Sequence, residues 1–262
     1  MSVILIGNDI IHYEVLGRGR PILFLHSWVG SWRYWIPVMQ TASGHYRAYA
    51  LDFYGFGDTV KNPQRYRLES QVALVEGFIE ILGIAQIAIV GHGLGALVGM
   101  LFALRNPQIV DRILAVGLPL GGNKITNRLR NTQPPDLAES LLGRTPQAEP
   151  VLTDATKVDP RAVSASLAEM GDLDTHSLWA QLIPPCLWVH GNSDPVVHPP
   201  GLDQAAGLSQ PIHRIVFDGA GHFPMLDDSS KFCRLLSDFL ALDPGESPQR
   251  LQLKKEWKRR VR

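Results

Sequence analysis

The sequence predicts an α/β fold: a mostly parallel sheet of eight strands with helices on both faces and a short inserted cap. Eight short apolar segments, most of them rich in β-branched or aromatic residues, recur along the chain and indicate strands. Amphipathic helical patterns lie between several of them. Such alternation is typical of parallel strands joined by right-handed crossovers, where ligands bind beyond the carboxyl ends of the strands. We therefore expect functional residues directly after strands.

The candidate strands are bounded mostly by Gly, Pro or Asp. The first two, Val3–Ile6 and Ile11–Val15, flank a Gly-Asn-Asp turn and predict a hairpin of edge strands. The other six are Ile22–His26, Arg47–Phe53, Ile87–Val90, Arg112–Gly117, Cys186–His190 and Arg214–Phe217. The clearest helical pattern has apolar residues three or four positions apart on one face: Leu68, Val72, Val75, Ile79 and Leu82.

The interval between the sixth and seventh candidate strands breaks the alternation. Gly121, Gly122 and several prolines interrupt short helical stretches there, such as Arg161–Met170. We interpret this interval as an inserted cap. The predicted core consists of two segments, residues 1–118 and 184–243. The predicted cap spans residues 119–183, and a basic C-terminal tail spans residues 244–262.

Composition narrows the classes of function. Hydrophobic residues make up 45% and charged residues 19% of the 262, which predicts a folded chain rather than a disordered one. The formal net charge of zero argues against a nucleic-acid partner and favours a small molecule. Two cysteines, Cys186 and Cys233, indicate a reducing compartment. The first residues show no secretory pattern, and we expect a cytoplasmic protein.

The glycine-rich turn after Ile87–Val90 carries the first functional motif. Gly-His-Gly-Leu-Gly at 91–95 leads into an apolar helix and resembles the nucleophile elbow, G-x-S-x-G, of the α/β-hydrolase family. In that motif the central residue carries the nucleophile. Gly93 stands there instead, so this position cannot form an acyl-enzyme. Such turns also occur in dinucleotide-binding folds, but the next strand does not end in the acidic residue that those folds require.

Two further stretches extend the resemblance. His-Ser-Trp-Val-Gly at 26–30 resembles the family's H-G-x-x-G oxyanion loop, with Ser27 in place of the first glycine. The resemblance implies that the backbone N–H groups of Trp28 and Leu94, together with that of Ser27, face a developing oxyanion. The segment 51–59 resembles the family's D-x-x-G-x-G-x-S stretch, in which we interpret Asp52 as structural.

The acid and the base of the family's triad have clear counterparts. Asp194 follows the strand Cys186–His190, where the family places its acid, and His222 lies in a Gly-x-Gly-His loop after the last strand. The order Gly93, Asp194, His222 is the family's chain order of nucleophile, acid and histidine. The resemblance implies that Asp194 orients His222, which acts as a base.

Other residues are candidates for the same pocket. We expect His26 and His92 to contact a ligand there, and with His222 and a carboxylate they make a possible metal set. The family carries both histidines without metal, so we expect no metal and no cofactor. Ser27, Ser193 and Cys186 are conceivable substitute nucleophiles, which we interpret as structural.

Two functions remain open. The first is a non-hydrolytic or very weakly active homologue, a pseudoenzyme that binds a small apolar or carbonyl-containing ligand. The second is an enzyme of hydrolase, lyase or cofactor-free oxygenase type that uses Asp194 and His222 as a general base without a covalent intermediate. A serine changed on purpose to trap a substrate would also leave Gly93. The Lys- and Arg-rich residues 250–262 predict a solvated tail or a helix that binds an anionic membrane surface.

Overall fold

The strands form one mixed sheet. The computed structural model describes residues 2–119, 125–171, 173–199, 212–244 and 246–251. Within these ranges the eight strands lie in the order β1-β2-β4-β3-β5-β6-β7-β8. They are β1 (Ser2–Ile6), β2 (Asp9–Leu16), β3 (Arg20–Leu25), β4 (Tyr46–Leu51), β5 (Ile87–His92), β6 (Val110–Val116), β7 (Cys186–Gly191) and β8 (Ile212–Phe217). β2 pairs antiparallel with β1 and β4, and the other neighbours are parallel. The predicted mostly parallel eight-stranded sheet is confirmed.

Burial explains the sequence pattern of each strand. All of β5 and β7 is buried, as expected for strands with helices on both faces, and their apolar runs are nearly continuous. β1 instead alternates and leaves Val3 and Leu5 exposed. β1 and β2 form the predicted hairpin, but of these two strands β1 alone lies at an edge of the sheet, because β2 lies between β1 and β4. The prediction that both are edge strands was wrong for β2, because β4 pairs with its other side.

Ten α-helices lie among the described residues. They are α1 (Ile36–Ala42), α2 (Leu68–Ile81), α3 (Leu94–Arg105), α4 (Asn127–Asn131), α5 (Pro134–Leu142), α6 (Glu149–Ala155), α7 (Pro160–Gly171), α8 (Thr175–Gln181), α9 (Pro224–Asp227) and α10 (Ser229–Leu240). The apolar face predicted for α2 is buried, and Leu82 closes its end. α3 begins one residue after β5, so the turn between them is as tight as the glycine pattern predicts.

Five of these helices, α4 to α8, occupy the interval between β6 and β7. The interval is fastened to loops at the carboxyl ends of the strands. Ser166 on α7 accepts a hydrogen bond from Trp28 Nε1 at 3.1 Å, and Arg33 Nε donates to Asp154 on α6 at 3.0 Å. The predicted helix Arg161–Met170 lies within α7. Gly121 and Gly122 lie outside the described residues.

The C-terminal stretch begins against the sheet. After α10, a short 3-10 helix spans Pro248–Arg250, with Pro248 buried, and His213 Nε2 on β8 donates to the Leu251 carbonyl oxygen at 2.9 Å. Residues 246–251 therefore pack on the core, contrary to the expectation that the tail leaves it at 244, while 252–262 lie outside the described residues. Cys186 and Cys233 are both buried and free. Among the described helices, none combines the length and apolarity that a membrane span requires.

Candidate active site

The turn between β5 and α3 is a single residue in an unusual conformation. Gly93 has φ 50° and ψ −109°, in the positive-φ region that side-chain-bearing residues rarely adopt. Its neighbours allow close packing, because a Cβ on Gly95 would overlap the carbonyl oxygen of Leu25. The sequence-predicted sharp turn is therefore present, with α3 pressed against β3.

The acid and the histidine meet at the carboxyl ends of β7 and β8. Asp194 Oδ2 lies 2.8 Å from His222 Nδ1, and both side chains are buried. Asp194 Oδ1 accepts the backbone N–H groups of Val196 and Val197 at 2.8 and 3.0 Å. Burial alone would raise the pKa of Asp194, but His222 and these donors together hold that pKa below its ordinary value. The pair can fix one imidazole tautomer and leave Nε2 to take a proton.

Ser27 lies where that imidazole nitrogen points. Its hydroxyl Oγ is 3.3 Å from His222 Nε2, although the two residues are 195 positions apart in the chain. The same oxygen fills the space beside Gly93, because a Cβ built on Gly93 would overlap it. The backbone N–H of Ser27 donates to the Tyr34 hydroxyl at 2.8 Å. This N–H is thus engaged by Tyr34 here, and its predicted contact with an oxyanion stays a prediction.

Trp28 closes the space above Gly93. Two of its ring carbons would lie 2.9 and 3.0 Å from a Cβ on Gly93, and its Nε1 bonds to Ser166 on α7. Ser27 and Trp28 are 0% exposed and His222 is 3% exposed. A ligand can therefore reach the histidine only when groups around the site move.

The two additional histidines differ in their surroundings. His26 Nδ1 donates to the Ser27 carbonyl at 2.7 Å, and its Nε2 accepts the Phe53 N–H at 3.1 Å. Both ring nitrogens are engaged, so the ring ties two loops together, and the expected ligand contact of His26 stays a prediction. Burial lowers the pKa of His26, which keeps it neutral. The lone pair of Nε2 is already used to accept the Phe53 N–H, which argues against a metal-ligand role for His26.

His92 lies directly beside the catalytic candidates. Its ring centroid is 4.5 Å from that of His222, and its Nδ1 lies 3.0 Å from the Tyr34 hydroxyl. Burial, followed by the proximity of His222, lowers the pKa of His92 well below its ordinary value. A neutral His92 avoids placing a second positive charge against His222.

Tyr34 is the site residue that sequence reasoning missed. It lies in a short 3-10 helix, Trp32–Trp35, and its buried hydroxyl links the Ser27 N–H to the ring of His92. Burial raises the pKa of this phenol well above its ordinary value, so it stays protonated. No motif marks the residue. The aromatic run around it indicated only packing.

The other candidate nucleophiles lie away from His222. Ser193 is exposed, and its hydroxyl bonds to Asn192 Oδ1 at 3.2 Å. Cys186 opens β7, and burial raises the pKa of its thiol, which disfavours the reactive thiolate. Neither residue contacts the histidine among the described groups. Of the three substitutes named from sequence, the structure brings only Ser27 to the base.

Asp52 forms a separate buried cluster. It lies 2.8 Å from His12 Nδ1 and accepts the backbone N–H groups of Trp32 and Asp58 at 2.9 and 3.0 Å. These contacts fit the structural interpretation of Asp52. Within the described ranges, His12, Asp52 and Asp58 are also the group whose ligand atoms lie near enough to share a metal ion. Asp58 is already paired with Lys157 at 2.8 Å.

Sequence relatives of known activity cover nearly the whole chain. Residues 22–235 match a family described as "Alpha/beta hydrolase family". A 2-hydroxy-6-oxo-2,4-heptadienoate hydrolase of Pseudomonas putida is 25% identical over 92% of this chain and 96% of the relative. A pimeloyl-(acyl-carrier protein) methyl ester esterase of Xanthomonas oryzae pv. oryzae is 24% identical over 89% of this chain and 100% of the relative.

Solved structures agree on the fold. A hydrolase from Pseudomonas aeruginosa superposes with a TM-score of 0.80 at 18% identity, covering 92% of this chain and 98% of the other. An N-acyl homoserine lactonase complexed with N-butanoyl homoserine gives 0.80 at 20% identity, again covering 92% and 98%. The fold is thus the predicted α/β-hydrolase fold. Since the family match spans residues 22–235, most of the 262-residue chain, this protein belongs to the alpha/beta hydrolase family.

Proposed function

We propose that the protein is an enzyme that acts on a small carbonyl-containing compound, with His222 as the general base and Asp194 as the residue that orients it. One observation carries the proposal: His222 is held by Asp194 at 2.8 Å on one nitrogen and meets a hydroxyl at 3.3 Å on the other. The names of the sequence relatives, a dienoate hydrolase and a methyl ester esterase, support the same reaction class.

The chemistry follows from the hydrogen bonds. Because Asp194 accepts from Nδ1, the neutral imidazole keeps its lone pair on Nε2 and can remove a proton from a hydroxyl group. The imidazolium formed is stabilised by the adjacent carboxylate. Within the described chain, the backbone N–H groups of Trp28 and Leu94 donate to no other group, which supports them as donors to the developing oxyanion.

A second candidate is ligand binding without turnover. Gly93 offers no side chain at the position where the family resemblance places the nucleophile, and Trp28 occupies the adjoining space. In this alternative a small apolar or carbonyl-containing ligand displaces the indole and is held by the same backbone donors. The helices between β6 and β7 act as its cap.

Hydrolysis of a panel of short-chain aryl esters distinguishes the two. We expect the unmodified protein to hydrolyse at least one ester, and His222→Ala to lower kcat/KM by roughly a hundredfold or more, since general-base catalysis contributes about 10²–10⁴. His176→Ala is the matched control, because His176 is exposed on α8 and outside the site. Turnover that survives His222→Ala would contradict the proposal, and an inert unmodified protein would favour ligand binding.

A further inference from the structure

We propose that Ser27 is the catalytic nucleophile, supplied from the loop after β3 in place of a side chain at Gly93. The inference rests on the proposed function and names the hydroxyl on which His222 acts. It assigns a covalent acyl-enzyme to a residue of the oxyanion loop. The substrate class is an ester or lactone with a short acyl group.

The first support is position. A side chain on Gly93 would project into the space that Ser27 Oγ occupies, because the built Cβ and that oxygen overlap. The hydroxyl of Ser27 therefore lies beside the position that a side chain at 93 would take. Relative to the family motifs, serine stands at 27 in place of glycine and glycine stands at 93 in place of serine. The added volume at residue 27 therefore compensates for the missing volume at residue 93.

The second support is orientation. The backbone of Ser27 is fixed on both sides, since its N–H donates to Tyr34 and its carbonyl oxygen accepts from His26 Nδ1 at 2.7 Å. In the described part of the chain, His222 Nε2 is the hydrogen-bond partner of the Ser27 hydroxyl. A hydroxyl that served only the loop would bond to a backbone group of that loop. This one is directed at the base.

The proposed reaction is a two-step acyl transfer. Ser27 Oγ attacks the ester carbonyl carbon while His222 Nε2 takes the hydroxyl proton, and the C=O electron pair moves onto the oxygen. Collapse of this intermediate breaks the bond to the leaving alcohol, which receives the proton from His222. Water then attacks the acyl-Ser27 in the same way, releasing the carboxylic acid and restoring the serine.

The neighbouring donors fit this position. The Trp28 N–H follows Ser27 directly in the chain, and the Leu94 N–H opens α3 immediately after Gly93, against which the hydroxyl lies. Acylation requires the Trp28 indole to swing from Gly93, because it covers the approach to Oγ.

Covalent labelling tests the inference. We would treat the full-length protein with diisopropyl fluorophosphate and with an aryl acetate, and map the modified peptide by mass spectrometry. The expected result is one adduct on Ser27, lost in Ser27→Ala and Ser27→Gly and kept in Ser193→Ala, the exposed serine outside the site. We expect both Ser27 variants to lower kcat/KM at least a hundredfold.

The outcomes separate this inference from the proposed function. Hydrolysis that depends on His222 but survives Ser27→Ala and Ser27→Gly would overturn the assignment of the nucleophile to Ser27. It would leave His222 as the general base, acting on a water molecule. An adduct confined to another residue would overturn it too. An unmodified protein that neither hydrolyses esters nor takes the label would end both.

Discussion

Gly93 forms the single-residue turn between β5 and α3, at the position where the family resemblance predicts a nucleophile. The positive φ of this residue is the conformation that would lift a side chain above the sheet. Ser27 and Trp28 instead fill the space from the facing loop. The space beside residue 93 therefore fits only a glycine, and a serine placed there would overlap Ser27 and Trp28.

Gly93→Ser alone is expected to destabilise the fold by more than the conformational strain of positive φ. Strain of that kind costs about 1–3 kcal/mol, and overpacking against Ser27 and Trp28 adds about 1–3 kcal/mol. Gly143→Ser is the matched control, because Gly143 has φ 62° with no atom within 4 Å of an added Cβ. Urea denaturation measures both. Equal losses of unfolding free energy would mean that the space beside Gly93 is open.

Sequence reasoning found the residues that belong to local motifs. Gly93, Asp194 and His222 each follow a strand in a short recognisable pattern, so their positions could be predicted without coordinates. The Ser27–His222 contact could not be, because it depends on how two loops 195 residues apart meet over the sheet. Tyr34 was missed for the same reason. Its role exists only once the 3-10 helix places its hydroxyl under Ser27.

At the scale of elements, hydrogen bonds join the loop after β3 to the helices between β6 and β7. Trp28 bonds to Ser166 on α7, and Ser31 and Arg33 both bond to Asp154 on α6. The existence of this helical interval was predictable from the broken alternation of strands. The contacts between this interval and the loop after β3 could not be predicted, because the sequences of short helices between prolines do not indicate which loop they pack against.

Ser166→Ala tests the attachment. The change leaves the buried Trp28 N–H without its acceptor, which is expected to cost about 1–3 kcal/mol of unfolding free energy. Ser164→Ala on the same helix is the control, because Ser164 is exposed and bonds only to the carbonyl oxygen of Pro160 within α7. We expect the control to stay within about 0.5 kcal/mol of the unmodified protein by urea denaturation. Matching losses in the two variants would show that the indole is not held by α7.

For the whole molecule, buried neutral histidines link stability to pH. Burial lowers the pKa values of His26, His92 and His190 within this fold, and that of His190 to about 3. At pH values above 6.5, the pKa of a histidine in the unfolded chain, the contribution of these neutral histidines to the free energy of unfolding is fully present. As the pH falls below 6.5, these histidines become protonated in the unfolded chain but stay neutral in the folded chain, so the free energy of unfolding declines.

His190→Phe isolates one of these groups. Between pH 6.5 and about 3, His190 adds one proton to the difference between the unfolded and folded states, worth about 1.4 kcal/mol per pH unit. The variant keeps a ring beside Trp188, whose centroid lies 4.9 Å away, but does not titrate. Unfolding free energy measured at pH 6 and pH 4.5 should fall less steeply in the variant. Identical slopes would mean that His190 is protonated in the folded protein.

The most direct test of the proposal that Ser27 is the nucleophile is to place the hydroxyl at residue 93 instead. Ser27→Gly, Gly93→Ser and the double variant are compared by kcat/KM for a short-chain aryl ester. We expect Ser27→Gly to lose at least a hundredfold, Gly93→Ser to fall well below the unmodified protein, and the double variant to recover to within about tenfold, since it restores one hydroxyl beside His222. A double variant no better than either single one, or a Ser27→Gly variant with full activity, would contradict the assignment of the nucleophile to Ser27.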